Sequence, residues 1–141
     1  MKLSLPTLLI SLSLLVFSAC QTSAEQPDTE LPESSAGLLQ HTVYFYLNDD
    51  VTPEEVNDFE NGLNELLQIE EIYKAEMGSP AGTKERDVTD HAFAYSIFTW
   101  FESMDDYTIY DEHPDHLKFI DTYSHLWADV KVYDTETTYV R

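Results

Sequence analysis

The chain has little positive charge, almost no cysteine and few glycines. Against 27 Asp and Glu it sets 7 Lys and Arg, with one cysteine and 4 glycines in 141 residues. Phosphate binding relies on clustered Lys and Arg, so a formal net charge of -20 excludes nucleic acid as a partner. The same field disfavours adsorption onto anionic lipid, so any membrane contact is expected through covalently attached acyl chains alone. A lone cysteine permits no intramolecular disulfide, and the folded part must rely on its core. There is no Gly-rich phosphate loop, no Ser-His-Asp ordering and no cysteine free to act as a nucleophile. Beyond these exclusions, acidity on this scale implies a well-hydrated surface and nothing more specific.

The N-terminus carries Lys2, a Ser-interrupted apolar run from Leu3 to Phe17, and small residues Ser18 and Ala19 just before Cys20. That is the pattern of a signal peptide over residues 1–19. At about fifteen residues the run falls short of the roughly 20 that a spanning helix needs. Phe17-Ser18-Ala19-Cys20 resembles the lipobox of bacterial lipoproteins, with Phe17 where Leu is usual. The resemblance implies lipidation of the Cys20 thiol and cleavage before it. It also implies an exported protein held at the cell membrane or outer membrane, its domain in the periplasm or at the cell surface. An ordinary secretory signal with an incidental cysteine is the alternative. Removing residues 1–19 from the 141 leaves 122, which suits one domain of roughly 100 residues with a tail. Lys2 leaves with the signal, so 6 basic residues then face 27 acidic ones, a formal charge of -21.

Residues 20–38 are rich in Ser, Thr, Glu, Gln and Pro and carry almost no large apolar side chain, the composition of a disordered tether. The folded part is expected over 39–137. His41 to Leu47 alternates, with His41, Val43, Phe45 and Leu47 on one face of a strand and Thr42, Tyr44 and Tyr46 on the other. Asn48-Asp49-Asp50 ends it. Thr52-Pro53-Glu54-Glu55 reads as a helix start, with Thr52 as N-cap, Pro53 at the first helical position and Glu55 closing a capping box. Val56, Phe59, Leu63, Leu66 and Leu67 then form one apolar stripe. Glu70 to Met77 predicts a second strand, and a turn-rich loop through Asp90 leads to a third over His91 to Phe101.

That third strand reads as apolar on both faces, Phe93, Tyr95, Ile97 and Phe101 on one and Ala92, Ala94, Phe98 and Trp100 on the other. Ser103 caps a short helix through about Glu112, Pro114 starts another through Trp127, and Val130 to Tyr133 forms a last strand. The order β-α-β-β-α-β gives an α+β, ferredoxin-like fold. Two helical regions cover one face of a four-stranded sheet, yet Tyr44, Tyr46, Phe98 and Trp100 occupy the other. A second copy is the simplest cover, so a homodimer with facing sheets is expected.

His41-Thr42-Val43-Tyr44-Phe45, the run Ser103 to His116 with its His113-Pro114-Asp115-His116 element, and Trp127 to Asp134 together resemble the stress-response A/B barrel (Dabb) domain. The resemblance covers roughly residues 39–135 and implies a dimeric α+β barrel. One plant member, olivetolic acid cyclase, closes a linear polyketide by intramolecular aldol condensation without metal or cofactor. Carried over position by position, its catalytic pair falls on Tyr110 and His116, its strand-one histidine on His41 and a pocket tryptophan on Trp127. A further pocket tyrosine falls on Leu63, a departure from that enzyme.

The chemistry suits the residue types. Histidine titrates near neutral pH, so His116 could take a proton from a carbon beside a carbonyl while the Tyr110 hydroxyl holds the enolate oxygen. His41, Val43 and Phe59 would supply the floor and wall of a cavity, with Leu63, His113 and Trp127 around it. Structural readings stand beside these. His113 reads first as a helix cap, His116 as a ring bonded to a nearby carbonyl, His41 as a satisfied core residue and Tyr110 as a core aromatic. His113 and His116 amid Asp111, Glu112 and Asp115 could also suggest zinc, but this spacing arises by chance in so acidic a chain, and neither metal nor cofactor is expected. Three functions follow in order: a tethered domain binding a small apolar or carbonyl-containing molecule, a cofactor-free cyclase, lyase or monooxygenase-like enzyme, and a structural dimerisation module.

Overall fold

The structure, a computed structural model, describes residues 37–138. The signal peptide, Cys20 and all of the expected linker except Gly37 and Leu38 lie outside the described residues. The elements are β1 (Leu39–Leu47), α1 (Pro53–Leu66), β2 (Lys74–Gly78), β3 (Tyr95–Phe101), α2 (Met104–Asp111), α3 (Pro114–Tyr123) and β4 (Trp127–Glu136). The strands form one antiparallel sheet in the order β2-β3-β1-β4, the ferredoxin-like α+β arrangement expected. Among the described residues no helix is long and apolar enough to cross a membrane.

Local chemistry starts each helix. The Thr52 hydroxyl accepts from the Glu55 amide at 3.3 Å, and the Glu55 carboxylate accepts from the Thr52 amide at 2.8 Å, so the capping box is complete. Phe59, Gly62, Leu63 and Leu66 then fall at helical spacing on the buried face of α1. Ser103 caps α2 through the Asp106 amide at 3.1 Å. Between α2 and α3 the chain breaks at Glu112 and His113, and Pro114, which has no amide hydrogen to lose, takes the first position of α3.

One core lies between the helices and one face of the sheet. Val43, Phe45, Ile97 and Phe101 from the strands meet Phe59, Leu63, Leu66, Tyr110 and Phe119 from the helices. Full burial of each such side chain contributes about 1.5–3 kcal/mol, and no disulfide is needed.

Four boundaries differ from expectation. The second strand begins at Lys74 rather than Glu70, because Ile69 and Ile72 turn inward to plug the core where alternation suggested a strand. The third begins at Tyr95 rather than His91. Phe93 consequently lies on the opposite face from Ile97, its ring 5.0 Å from Tyr44 and 6.5 Å from Tyr46. The last helix ends at Tyr123, and after a short 3-10 turn, Ser124–Leu126, Trp127 opens β4 instead of closing the helix. That strand runs on to Glu136, well past Tyr133, because β1 offers pairing positions as far as Leu39.

The outer face of the sheet, away from the helices, carries Tyr44, Tyr46, Phe98, Trp100 and Tyr133. The segment between β2 and β3 reaches across part of it. Asp90 accepts from the Tyr46 hydroxyl at 2.8 Å, and Lys131 donates to that hydroxyl at 3.1 Å while standing 3.5 Å from the Asp90 carboxylate. The chain thus covers some of the surface that the sequence assigned wholly to a second copy.

Candidate functional site

A cavity of about 310 Å³ opens between the core face of the sheet and helices α2 and α3. His41 and Val43 of β1, Tyr107, Tyr110 and Asp111 of α2, His116 and Phe119 of α3, and Trp127 at the start of β4 are among its lining. The sheet contributes the wall by alternation: residues paired across β1 and β4 share a face, so Val43 and Val132, and His41 and Asp134, stand side by side.

His41 is buried and its Nδ1 lies 2.6 Å from the Asp134 carboxylate, directly across the strands. The short distance marks a charge-assisted bond. Facing an acceptor, Nδ1 carries the hydrogen, and in the neutral ring Nε2 keeps a lone pair. The His41 ring lies 5.5 Å from Tyr107 and 5.9 Å from Tyr110.

Tyr110 is fully buried on α2 and sits between the two histidines, with the His116 ring 4.6 Å away. Burial raises its hydroxyl pKa, and the nearby Tyr107 and Asp111 reinforce the shift. Tyr107 is raised as well, by burial first and then by the Asp134 and Asp111 charges. Both hydroxyls therefore stay protonated and able to donate. Among the described residues the Tyr110 hydroxyl takes no hydrogen-bond partner.

His116 gains its orientation from the helix break. Asp111, at the end of α2, has a carbonyl that the helix leaves unsatisfied, and the His116 Nδ1 donates to it at 2.9 Å. Its Nε2 is the remaining ring nitrogen, as in His41. The arrangement is two imidazoles with fixed tautomers flanking a protonated tyrosine at the edge of an apolar cavity. It can hold a carbonyl or hydroxyl group, and it has a base and a donor for moving a proton beside one.

Of the residues singled out in the sequence, His41, Val43, Tyr110, His116 and Trp127 meet around this cavity. Phe59 and Leu63 do not line it; both are fully buried behind it, Phe59 packing 5.7 Å from Phe119 and 6.1 Å from Trp127. His113 points elsewhere. Its Nδ1 accepts the Asp115 amide at 3.2 Å as the cap of α3, and an accepting nitrogen is unprotonated, so the Asp115 carboxylate 3.8 Å away forms no ion pair with it. Cys20 lies outside the described residues. Among the described residues no group of three or more His, Cys, Asp or Glu is placed to hold a metal ion.

Sequence reasoning missed Asp134 and Tyr107. Tyr107 stands one helical turn before Tyr110, a spacing that could have found it. Asp134 could be found only from the β1-β4 register and a last strand drawn long enough to include it.

A four-stranded ferredoxin-like sheet with a histidine- and tyrosine-edged cavity beneath two consecutive short helices defines a small α+β pocket domain. More specifically, residues 39–137 match the Stress responsive A/B Barrel Domain (Dabb), and the chain belongs to that family. The stress-response A/B barrel domain-containing protein DABB1 of Arabidopsis thaliana is 27% identical over 100 residues, 70% of this chain and 47% of that protein. The chain therefore spans about half the length of this curated relative. A solved dimeric protein of unknown function and ferredoxin-like fold from Bacteroides fragilis is 27% identical, with a TM-score of 0.57 over 71% of this chain and 96% of its own. The hydroxynitrile lyase from Passiflora edulis, 15% identical, shares the fold with a TM-score of 0.63, covering 74% of this chain and 96% of its own.

Proposed function

We propose that this is a membrane-tethered Dabb domain that binds a small apolar or carbonyl-containing molecule between its sheet and helices. The observation that carries this reading is the open cavity of about 310 Å³ edged by His41, Tyr110 and His116. A purely structural module would be expected to fill that space with side chains. The lipobox-like residues before Cys20 support the tether, with the mature domain in the periplasm or at the cell surface of a bacterium. The aromatic outer face and the dimeric Bacteroides fragilis neighbour support a homodimer.

Native mass spectrometry of the protein made in a bacterial host tests the pocket. A co-purifying small molecule that disappears in His116→Ala supports binding, and an empty dimer that the substitution leaves unchanged refutes it. The tether is read in the same preparation, since Cys20→Ser should move the protein from the membrane fraction to the soluble one.

A second reading, a cofactor-free cyclase, lyase or monooxygenase-like enzyme, is favoured by the partner-free Tyr110 hydroxyl and the 2.6 Å bond that fixes His41. In it His116 takes a proton from the carbon beside a carbonyl. The electron pair passes to the carbonyl oxygen, and Tyr110 donates a hydrogen bond to that oxygen. The lyase activity of the Passiflora edulis neighbour belongs to that protein, and its likeness to this chain is one of fold.

A further inference from the structure

The cavity between the sheet and helices α2 and α3 is divided by chemistry. His41, Tyr107, Tyr110 and His116 form one cluster, with neighbouring ring centroids 4.6 to 6.4 Å apart. Phe45, Phe119 and Trp127 form another, with centroids 5.4 to 6.1 Å apart, and Leu66 and Ile97 extend it. A ligand that fills both has an apolar body and a polar group at one end. At about 310 Å³ the cavity stands at the lower end of the roughly 300–1,000 Å³ range of ligand pockets, so it has room for one small molecule.

The polar end carries negative charge without a cation to match it. Asp111 lines the cavity and Asp134 stands 2.6 Å from His41, while no Lys or Arg lines it among the described residues. The lysines of the bordering elements face away: Lys118 of α3 shares a separate cleft with Glu65 of α1, and Lys131 of β4 lies over Tyr46 on the outer face. The histidines do not make up the deficit. Each neutral ring spends its one N–H, His41 on the Asp134 carboxylate and His116 on the Asp111 carbonyl, and keeps a lone pair at Nε2. A carboxylate placed there would meet lone pairs and two like charges, and a buried anion without a cationic partner is costly. A neutral carbonyl oxygen needs only a donor, and the Tyr110 hydroxyl, which burial keeps protonated, is one.

Resting on the pocket reading above, we propose that the cavity takes neutral carbonyl compounds with one apolar chain and rejects the corresponding carboxylates, with Asp111 and Asp134 setting that selectivity. Neither aspartate needs to touch the ligand; each acts through its charge at the polar end. Val132 of β4 and Ile120 of α3 form an apolar lip, 47% and 40% exposed, so a chain longer than the cavity has a surface to lie on.

Isothermal titration of the purified protein at about pH 8, where ordinary histidines are neutral, compares octanamide, 2-nonanone and octanoate, which share one heptyl chain and nearly one shape. Both neutral ligands should bind at least about tenfold more tightly than octanoate, because the anion is unpaired and faces like charges. Asp111→Asn combined with Asp134→Asn should narrow that ratio severalfold. The amide at position 134 still accepts from His41, and the backbone carbonyl of residue 111 still holds His116. Removing two charges elsewhere, by Glu85→Gln with Asp87→Asn in the exposed segment between β2 and β3, should leave the ratio in place, which separates the site from the net charge of -20. Octanoate binding as tightly as octanamide would overturn the selectivity while the pocket stands. A ratio that the site variant does not narrow, or that both variants narrow equally, would overturn it as well. Binding of none of the three ligands would instead overturn the pocket reading, and this proposal with it.

Discussion

Gly62 offers the sharpest contest between two known effects. It lies on the buried face of α1 with ordinary helical backbone, so what it supplies is space. A Cβ built there would press on the Tyr123 ring of α3, meeting Cε2 first and lying 2.6 Å from Cζ and 2.9 Å from Oη. Carbon atoms pack comfortably at about 3.5–4.0 Å, so the ring would have to retreat by about 1 Å or more. Phe119 and Phe59, 5.2 Å and 5.7 Å away, block its retreat toward the core, so the half-exposed ring can move only outward. In an exposed helix Gly→Ala would stabilise by about 1 kcal/mol. Overpacking a filled contact costs about 1–3 kcal/mol, and a stiff aromatic ring on a neighbouring helix puts this case toward the upper part. Gly62→Ala should therefore destabilise by about 1–2 kcal/mol, a fall of about 5–10 °C in Tm for a domain of roughly 100 residues. Thermal unfolding followed by circular dichroism measures it, with Gly62→Ala tested alone and in a Tyr123→Leu background. In that background the steric cost should shrink and the alanine should become neutral or favourable. A higher Tm for Gly62→Ala alone would show that the Tyr123 ring yields freely and that the α1-α3 contact is not filled.

Tyr110→Phe removes a hydroxyl that has no partner among the described residues, so Tm should move by less than the equivalent of about 1 kcal/mol. Affinity for a co-purifying carbonyl ligand should fall about tenfold, the loss of one hydrogen bond; unchanged affinity by calorimetry would remove Tyr110 from the site. Tyr95 donates to Glu60 at 2.8 Å, and desolvation, then that carboxylate, pushes its pKa up to about 12. A raised folded pKa means stability is fully present below pH 10 and is lost as pH climbs from about 10 through about 12. Tyr95→Phe should flatten that part of the alkaline unfolding curve, and an unchanged curve would contradict the assignment.

The fold was legible where physics is local. Thr52, Pro53 and Glu55 announce α1 within four residues, and the alternation from His41 to Leu47 sorts β1 into its two faces because Val43 and Phe45 pack into the core while Tyr44 and Tyr46 stand half-buried on the other side. Legibility failed where an apolar residue serves the core from an irregular position. Ile69 and Ile72 pack from turns, and Phe93 crosses to the outer face just before β3 begins. At the site, Tyr110 and His116 could be paired from the sequence because the break at Pro114 lies between them, and the resemblance marked them. The Asp134 carboxylate could not, since its partner His41 is 93 residues away and only the strand register brings them together.

β1 has one further consequence. It is the middle partner of β3 and β4, and its successive side chains enter different chambers: His41 and Val43 the helix side, Tyr44 and Tyr46 the outer side. The strand is a party wall one residue thick. A single inserted or deleted residue would exchange the furniture of both rooms at once, placing tyrosines against the core and a histidine among the aromatics of the outer face. Such a wall can be redecorated only by substitution, one side at a time. Its length is fixed by two tenants.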